Sequence, residues 1–184
     1  MANLKGHALG FSVLALALTA GAAPSFAASS YTPTMADMLS IQSAIHAYAT
    51  GLDKLDGGLE ASGFAEDGVL SIIDNGQEVA HIVGRTAIAA GRKAPTNAPP
   101  PAGGPPSEAG IWHFYGNDYF EFQSPSHATH YGYWLDVTAP VVPAGQSSVG
   151  KQSTVGLPGH YEDVFVKVDG AWLFKQRTIY VGAK

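Results

Sequence analysis

The runs WHFYGNDYFEFQ (112–123), HATHYGYWLDVT (127–138), GHYEDVFVKV (159–168) and AWLFKQRTIYV (171–181) decide the fold. Each alternates with the two-residue period of a strand and is rich in aromatic and β-branched residues, which suit a pleated, half-buried surface. Each also carries His, Tyr, Asp or Arg among its apolar positions. A sheet that mixes such polar groups with large apolar side chains on one face predicts a lined cavity rather than a dry core. Asp169-Gly170 supplies the tight turn between the last two runs. The segment 140–158, rich in Gly, Ser and Val, predicts a hairpin connection between long strands.

Upstream, Thr34 begins a helix: its hydroxyl is placed to cap the free N–H groups, and Asp37 follows at the capping-box spacing. Met38, Ile41, Ile45, Tyr48 and Leu52 then recur at steps of three and four, which makes one helix face apolar. Residues 56–65 predict a short second helix ending before Glu66-Asp67-Gly68, a turn sequence that leads into a strand. Strands at 69–73 and 79–83 flank Asp74-Asn75-Gly76, where Asn-Gly signals a hairpin. A brief helix at 86–92 follows. Residues 94–110 hold six prolines and three glycines, which excludes helix and central strand and predicts an insertion or a loop across a pocket mouth. The order is helix, short helix, hairpin, short helix and four long antiparallel strands, which predicts an α+β cone with helices on one face of a curved sheet.

The first 27 residues carry one cation, Lys5, then an apolar run from Ala8 to Ala23, then Ser25-Phe26-Ala27. This is the pattern of a secretory signal peptide with cleavage after Ala27, and the run is too short and too rich in Gly and Ala for a stable membrane span. The expectation is therefore an exported protein, periplasmic or secreted, whose single domain covers 28–184. Cysteine is absent, so thiol nucleophiles, thiolate metal sites and disulfides are excluded. The formal charge of −5 becomes about −6 without Lys5, and no basic cluster occurs anywhere, which argues against nucleic acid and anionic membrane surfaces as partners. There is no Gly-x-Ser-x-Gly elbow, and Gly103-Gly104 lacks the lysine of a phosphate loop.

Several pieces in order resemble the SnoaL-like branch of the nuclear transport factor 2 (NTF2)-like superfamily. They are Ile45-His46-Ala47-Tyr48-Ala49-Thr50-Gly51-Leu52-Asp53, Gly63-Phe64-Ala65-Glu66-Asp67-Gly68, Gly84-Arg85-Thr86-Ala87-Ile88, the His113 and Asn117 pair, Gly159-His160-Tyr161-Glu162-Asp163, and Gly170-Ala171-Trp172 with Arg177. The resemblance spans nearly all of 28–184. It implies the NTF2-like cone, a curved antiparallel sheet with N-terminal helices packed on its concave face. It also implies a hydrophobic small-molecule ligand and a homodimer, since members of the superfamily commonly dimerise. The superfamily holds cyclases, dehydratases, isomerases and non-catalytic binders, so the fold does not choose a reaction.

The spacing of Tyr48 and Asp53 resembles the Tyr and Asp of the family's dehydratases. A Tyr hydroxyl can polarise a carbonyl and an Asp can hold a His in one tautomer; the alternative is a core tyrosine and a helix-ending aspartate. His113 stands where the family often has a His entering the pocket, and His130 shares its parity with Ala128, Gly132 and Trp134, whose small members would leave room for a ligand. Either imidazole suits proton transfer near neutral pH, and either suits a core His bonded to a carbonyl. Arg177 is a candidate to assist a leaving hydroxyl, and Asp163 is its structural partner or a catalytic part. Trp112, Asn117, Trp134 and Tyr161 are candidate pocket residues. Asp67, Asp74 and Asp118 are expected at solvated turns. His127 and His130, three apart on a strand, point to opposite faces and have no third ligand, so neither a metal nor another cofactor is expected. Two functions follow: a cofactor-independent dehydratase or isomerase acting by acid-base proton transfer on a hydrophobic carbonyl compound, or a periplasmic ligand-binding or accessory module without turnover.

Overall fold

The computed structural model describes residues 31–91, 110–140, 142–143 and 145–182. The leader and all of the proline-rich segment except Gly110 lie outside the described residues.

Helix α1 (Met35–Lys54) starts where the capping sequence places it. The Thr34 hydroxyl accepts from the Asp37 N–H at 3.1 Å, and Asp37 accepts from the Thr34 N–H at 2.9 Å. Asp37 does more than cap. Its Oδ2 also accepts from the Tyr31 hydroxyl at 2.6 Å, and its Oδ1 accepts from Lys167 Nζ at 2.7 Å and Trp172 Nε1 at 2.8 Å. One buried carboxylate thus ties the start of the helix to two strands distant in sequence, and these donors, Lys167 first, hold its pKa far below the usual carboxylate range. Ile41, Ile45, Tyr48 and Leu52 are buried on the predicted face, each stabilising the fold by about 1.5–3 kcal/mol. Leu55 ends the helix in the left-handed conformation, and Asp56 caps α2 (Gly57–Ser62) through the Leu59 N–H at 2.9 Å. Gly51 permits this corner, since a Cβ there would stand 2.3 Å from the backbone nitrogen of Glu60.

Strands β1 (Phe64–Asp74) and β2 (Gln77–Val83) form the hairpin, with Asn75 at φ 48° and Gly76 at φ 76° in its turn. Glu66-Asp67-Gly68 is part of β1, against the expectation of a turn. The pairing of β1 with its neighbour slips between Phe64 and Val69, so the turn-forming residues occupy a bulge inside the strand. Helix α3 (Arg85–Gly91) follows, then β3 (Ile111–Ser124), β4 (His127–Thr138), β5 (Thr154–Val168) and β6 (Ala171–Val181). β5 begins five residues before Gly159, so the connection to β4 is shorter than the expected 140–158. Pro158, with no N–H to give, stands beside the register shift opposite Leu135 to Val137.

The six strands lie in the order β2-β1-β6-β5-β4-β3. All neighbours are antiparallel except β1 and β6, which run parallel. The sheet is curved and unclosed with the helices on one face, the α+β cone of the NTF2-like type. Phe64, Phe165 and Phe174 form its centre, with ring centroids 4.5–5.0 Å apart, and Tyr48 of α1 packs against Phe64 and Phe174. Among the described residues no helix is long and apolar enough to cross a membrane.

Candidate active site

Asp53, in the last turn of α1, and His113, near the start of β3, meet at the edge of the helix-covered face. His113 Nδ1 lies 2.7 Å from Asp53 Oδ1, and the same oxygen accepts the His113 backbone N–H at 3.3 Å. A carboxylate near a helix C-terminus opposes the helix dipole, and these two donors offset that cost. Nδ1–H donating to Asp53 leaves the Nε2 lone pair as the basic position, and Nε2 has no hydrogen-bond partner among the described residues. The side chains are 19% and 21% exposed, so the pair is sheltered yet reachable. Such a pair can take a proton at Nε2 while Asp53 stabilises the imidazolium that forms.

Two residues further along β3, on the same face by strand parity, stands Tyr115. It pairs across the ladder with Trp134 of β4, as His113 pairs with Asp136. Tyr115 stacks on Tyr161 at 5.5 Å, and Trp134 lies 6.0 Å from the same ring. Trp134 Nε1 is buried and has no hydrogen-bond partner among the described residues, and the buried Tyr115 hydroxyl has that of Tyr161 as its neighbour. Burial raises the pKa of Tyr115, as it does more strongly for Tyr161, so both phenols stay protonated and able to donate. Trp134 lies flat over β5 because Gly159 has no side chain; a Cβ there would come within 2.5 Å of the indole. Asp136 leans over Gly156 in the same way, with Oδ1 held 1.6 Å from where a Cβ would stand.

Arg177 is fully buried behind Tyr161. Its guanidinium carbon lies 3.7 Å from the Tyr161 ring centre, 4.3 Å from that of Tyr48 and 4.6 Å from that of Phe174. Burial, the largest single effect, works against its charge, but Asp163 together with Tyr161, Tyr115 and Tyr48 outweighs it and the pKa is raised. Nε is 3.7 Å from Asp163 Oδ1, an ion pair without a hydrogen bond. Cation–π contact with three rings does part of the work that hydrogen bonds would otherwise do.

Of the residues singled out in the sequence, the structure joins Asp53 with His113, and Tyr48 with Tyr161 and Arg177. It places His130 in a different setting. His130 Nδ1 is 2.8 Å from Asp163 Oδ2, Nε2 is 3.0 Å from Asp118 Oδ1, and Phe120 stacks on the ring at 4.7 Å. The space beside Gly132, expected for a ligand, belongs to this contact, because a Cβ at 132 would stand 2.9 Å from both Asp118 Oδ1 and His130 Nε2. Asp118 is thus drawn to the His by a bulge, not left at a solvated turn: Gly116 pairs with Tyr133 and Tyr119 with Tyr131, which leaves Asn117 and Asp118 opposite Gly132 alone. Asn117 takes the strained position of that bulge, at φ 57°, and is exposed rather than in a pocket. Trp112 has the opposite parity to His113 and so faces the other side of the sheet. Tyr115 was not among the expected site residues, although its position two after His113 announces a shared face.

A groove of about 400 Å³ lies on the helix-free face, walled by Tyr119, Glu121, Tyr131, Glu162 and Val164, with His130 and Asp163 also in its lining. Neither Asp53 nor His113 reaches it, so its size does not bear on the proton chemistry. Among the described residues no three His, Asp or Glu are grouped to hold a metal ion.

The model of the SnoaL-like domain family matches residues 33–178. No curated protein matches the chain in sequence. Among solved structures, a protein of unknown function with a cystatin-like fold from Nostoc punctiforme superposes with a TM-score of 0.60 at 20% identity, covering 84% of this chain and 97% of that one. A protein from Novosphingobium aromaticivorans that carries the name of scytalone dehydratase gives a TM-score of 0.55 at 23% identity, over 79% and 84% of the two chains. Hexachlorocyclohexane dehydrochlorinase LinA-type3 from Novosphingobium barchaimii gives 0.57 at 19%, over 81% and 88%. At these identities the likeness shows a shared fold.

Proposed function

The chain belongs to the SnoaL-like domain family, and from that premise we propose that it is a cofactor-independent lyase that eliminates water from a hydrophobic carbonyl compound. The observation that carries this reading is the 2.7 Å contact between His113 Nδ1 and Asp53, with Nε2 left open at the edge of the helix-covered face. His113 Nε2 takes the proton from the carbon next to the carbonyl. The electron pair of that C–H bond becomes the new C=C bond as the C–O bond to the hydroxyl breaks. The imidazolium returns its proton to the departing hydroxide, and water and an unsaturated carbonyl compound leave. Asp53 orients the imidazole and balances its transient charge. One base serves both proton transfers, because His130 and Arg177, 4% and 0% exposed, are enclosed and face Asp163. The names of two structural neighbours, a dehydratase and a dehydrochlorinase, accord with elimination chemistry.

The same proposal includes export: Lys5, the apolar run and Ser25-Phe26-Ala27 form the leader, and intact mass of the secreted protein tests cleavage after Ala27. Turnover is tested by following loss of water from β-hydroxy ketones with an aryl or fused-ring body, by absorbance of the conjugated product. Turnover that disappears in His113→Ala supports the lyase. Binding of the same ketones with no turnover in the wild type would leave a ligand-binding module and overturn it.

A further inference from the structure

Asp136 is a carboxylate that the proton chemistry above does not use. It is the cross-strand neighbour of His113 on the ladder of β3 and β4, so the two side chains share a face, with Cβ atoms about 4.5–5.5 Å apart. Its Oδ1 is buried and has neither a hydrogen bond nor an ion pair among the described residues. Asp163 Oδ1 also lacks a hydrogen bond, but it has Arg177 Nε at 3.7 Å, and Asp136 has no such cation among the described residues. A buried acceptor left unmet is unfavourable, the more so when charged, so a fold that keeps one open beside the base holds it for a donor from outside. The backbone keeps that oxygen in place. Leu135 pairs with Pro158 and Val137 with Val155, so β5 carries one extra residue opposite Asp136. Gly156, in that bulge, leaves the space that Oδ1 fills, 1.6 Å from where a Cβ would stand. Two residues back on the same face is the second unmet group, Trp134 Nε1, which can only donate. An acceptor and a donor thus stand roughly 7 Å apart along β4, next to the base.

We propose that Asp136 is a specificity-determining residue, which accepts a hydrogen bond from a hydroxyl on the body of the substrate while Trp134 Nε1 donates to the same polar region. The inference rests on the lyase reading and deepens it by naming the substrate class: a carbonyl compound whose hydrophobic body bears a hydroxyl near the carbon that gives up its proton. A hydroxyl both donates and accepts, so it answers both open groups, whereas an ammonium group would leave the indole N–H unmet. This hydroxyl is not the one that leaves. Negative charge builds on the leaving oxygen as the C–O bond breaks, and a carboxylate beside it would oppose departure. A site that is built to bond a substrate hydroxyl rejects the analogue lacking it, because its own buried groups then stay unpaired.

The test measures calorimetric binding of propiophenones that carry a meta hydroxyl, methoxy or aminomethyl group. The methoxy oxygen accepts but cannot donate, and the aminomethyl group is cationic near neutrality. In wild type the hydroxyl ligand binds about 10–10²-fold tighter than the methoxy ligand, as expected for a hydrogen bond to a charged group. Asp136→Asn brings the two within about three-fold of each other, and its melting temperature holds or rises because an unmet buried charge is gone. Gly156→Ala keeps the carboxylate but displaces it, and erases the same preference. Trp134→Phe reduces the preference to a smaller extent. With the β-hydroxy derivative of the meta-hydroxy ketone as substrate, Asp136→Asn raises KM and changes kcat far less, the mark of binding shared by ground and transition states. His113→Ala keeps the hydroxyl preference while turnover disappears. A wild type that shows the preference without any turnover would overturn the lyase and leave the recognition site standing, so the two failures are distinguishable. Equal binding of hydroxyl and methoxy ligands in wild type, a preference that survives Asp136→Asn, tighter binding of the aminomethyl ligand, or a marked fall in the melting temperature of Asp136→Asn overturns the proposal.

Discussion

Two histidines of this chain each meet an aspartate through Nδ1, at 2.7 Å for His113 with Asp53 and 2.8 Å for His130 with Asp163, and they are built for opposite ends. His113 is sheltered but reachable, and its Nε2 is open. His130 is buried between strands, and its Nε2 is occupied by Asp118 at 3.0 Å. A His–Asp contact therefore does not mark a base by itself; the state of the second nitrogen does. With one nitrogen oriented and the other open, the ring can exchange a proton with a ligand. With both facing carboxylates, the ring joins β4 to β5 on one side and to the β3 bulge on the other, and exchange would break the join.

The sharpest way to break this comparison is to remove each ring in turn. His113→Ala should lower kcat/KM by roughly 10²–10⁴-fold with little change in melting temperature, the range for losing a general base. Asp53→Asn should cost about 10–10²-fold, since it removes orientation and charge but leaves the base. His130→Ala should reverse the pattern. Stripping the partner from buried Asp163 should destabilise the fold by about 3 kcal/mol, lowering the melting temperature by roughly 6–12 °C, with turnover per folded molecule nearly unchanged. A His130 variant that stays stable and loses turnover would move the catalytic base from β3 to β4.

How much of this was legible in the sequence follows from how local each signal is. The Thr34 to Asp37 cap, the Asn75-Gly76 and Asp169-Gly170 turns and the alternation of the four long strands are all decided within a few residues, and the structure has them where the sequence puts them. Asp53 and His113 were singled out from family-like positions, 60 residues apart, and the fold brings them into contact. What failed depends on bulges. Glu66-Asp67-Gly68 has turn composition, yet an irregular ladder carries it within β1. Asn117 and Asp118 have it too, and there a bulge against Gly132 turns Asp118 from solvent toward His130. A bulge shows itself only through the partner strand, which composition does not name. The parallel pairing of β1 with β6 is hidden for the same reason. Trp112 is a different case: period two alone sets it on the face opposite His113.

A third carboxylate extends the comparison to acid, where no effect on turnover is expected. Asp37 is buried at the start of α1 and accepts from Lys167, Trp172, Tyr31 and Thr34, which lower its pKa in the folded protein. A carboxyl with a depressed folded pKa contributes stability that is fully present above its unfolded value, near 3.9, and is lost as the pH falls below it. The melting temperature should therefore decline as the pH falls below about 4, beyond what the exposed carboxylates account for. Asp37→Asn keeps the shape but cannot titrate, so its melting temperature should fall less steeply over the same acid range, while kcat/KM near neutrality stays within about two-fold because the residue is remote from His113. Parallel melting curves for wild type and Asp37→Asn between about pH 2 and 4 would place the acid-sensitive join elsewhere, with the Asp118–His130–Asp163 line the first alternative to test.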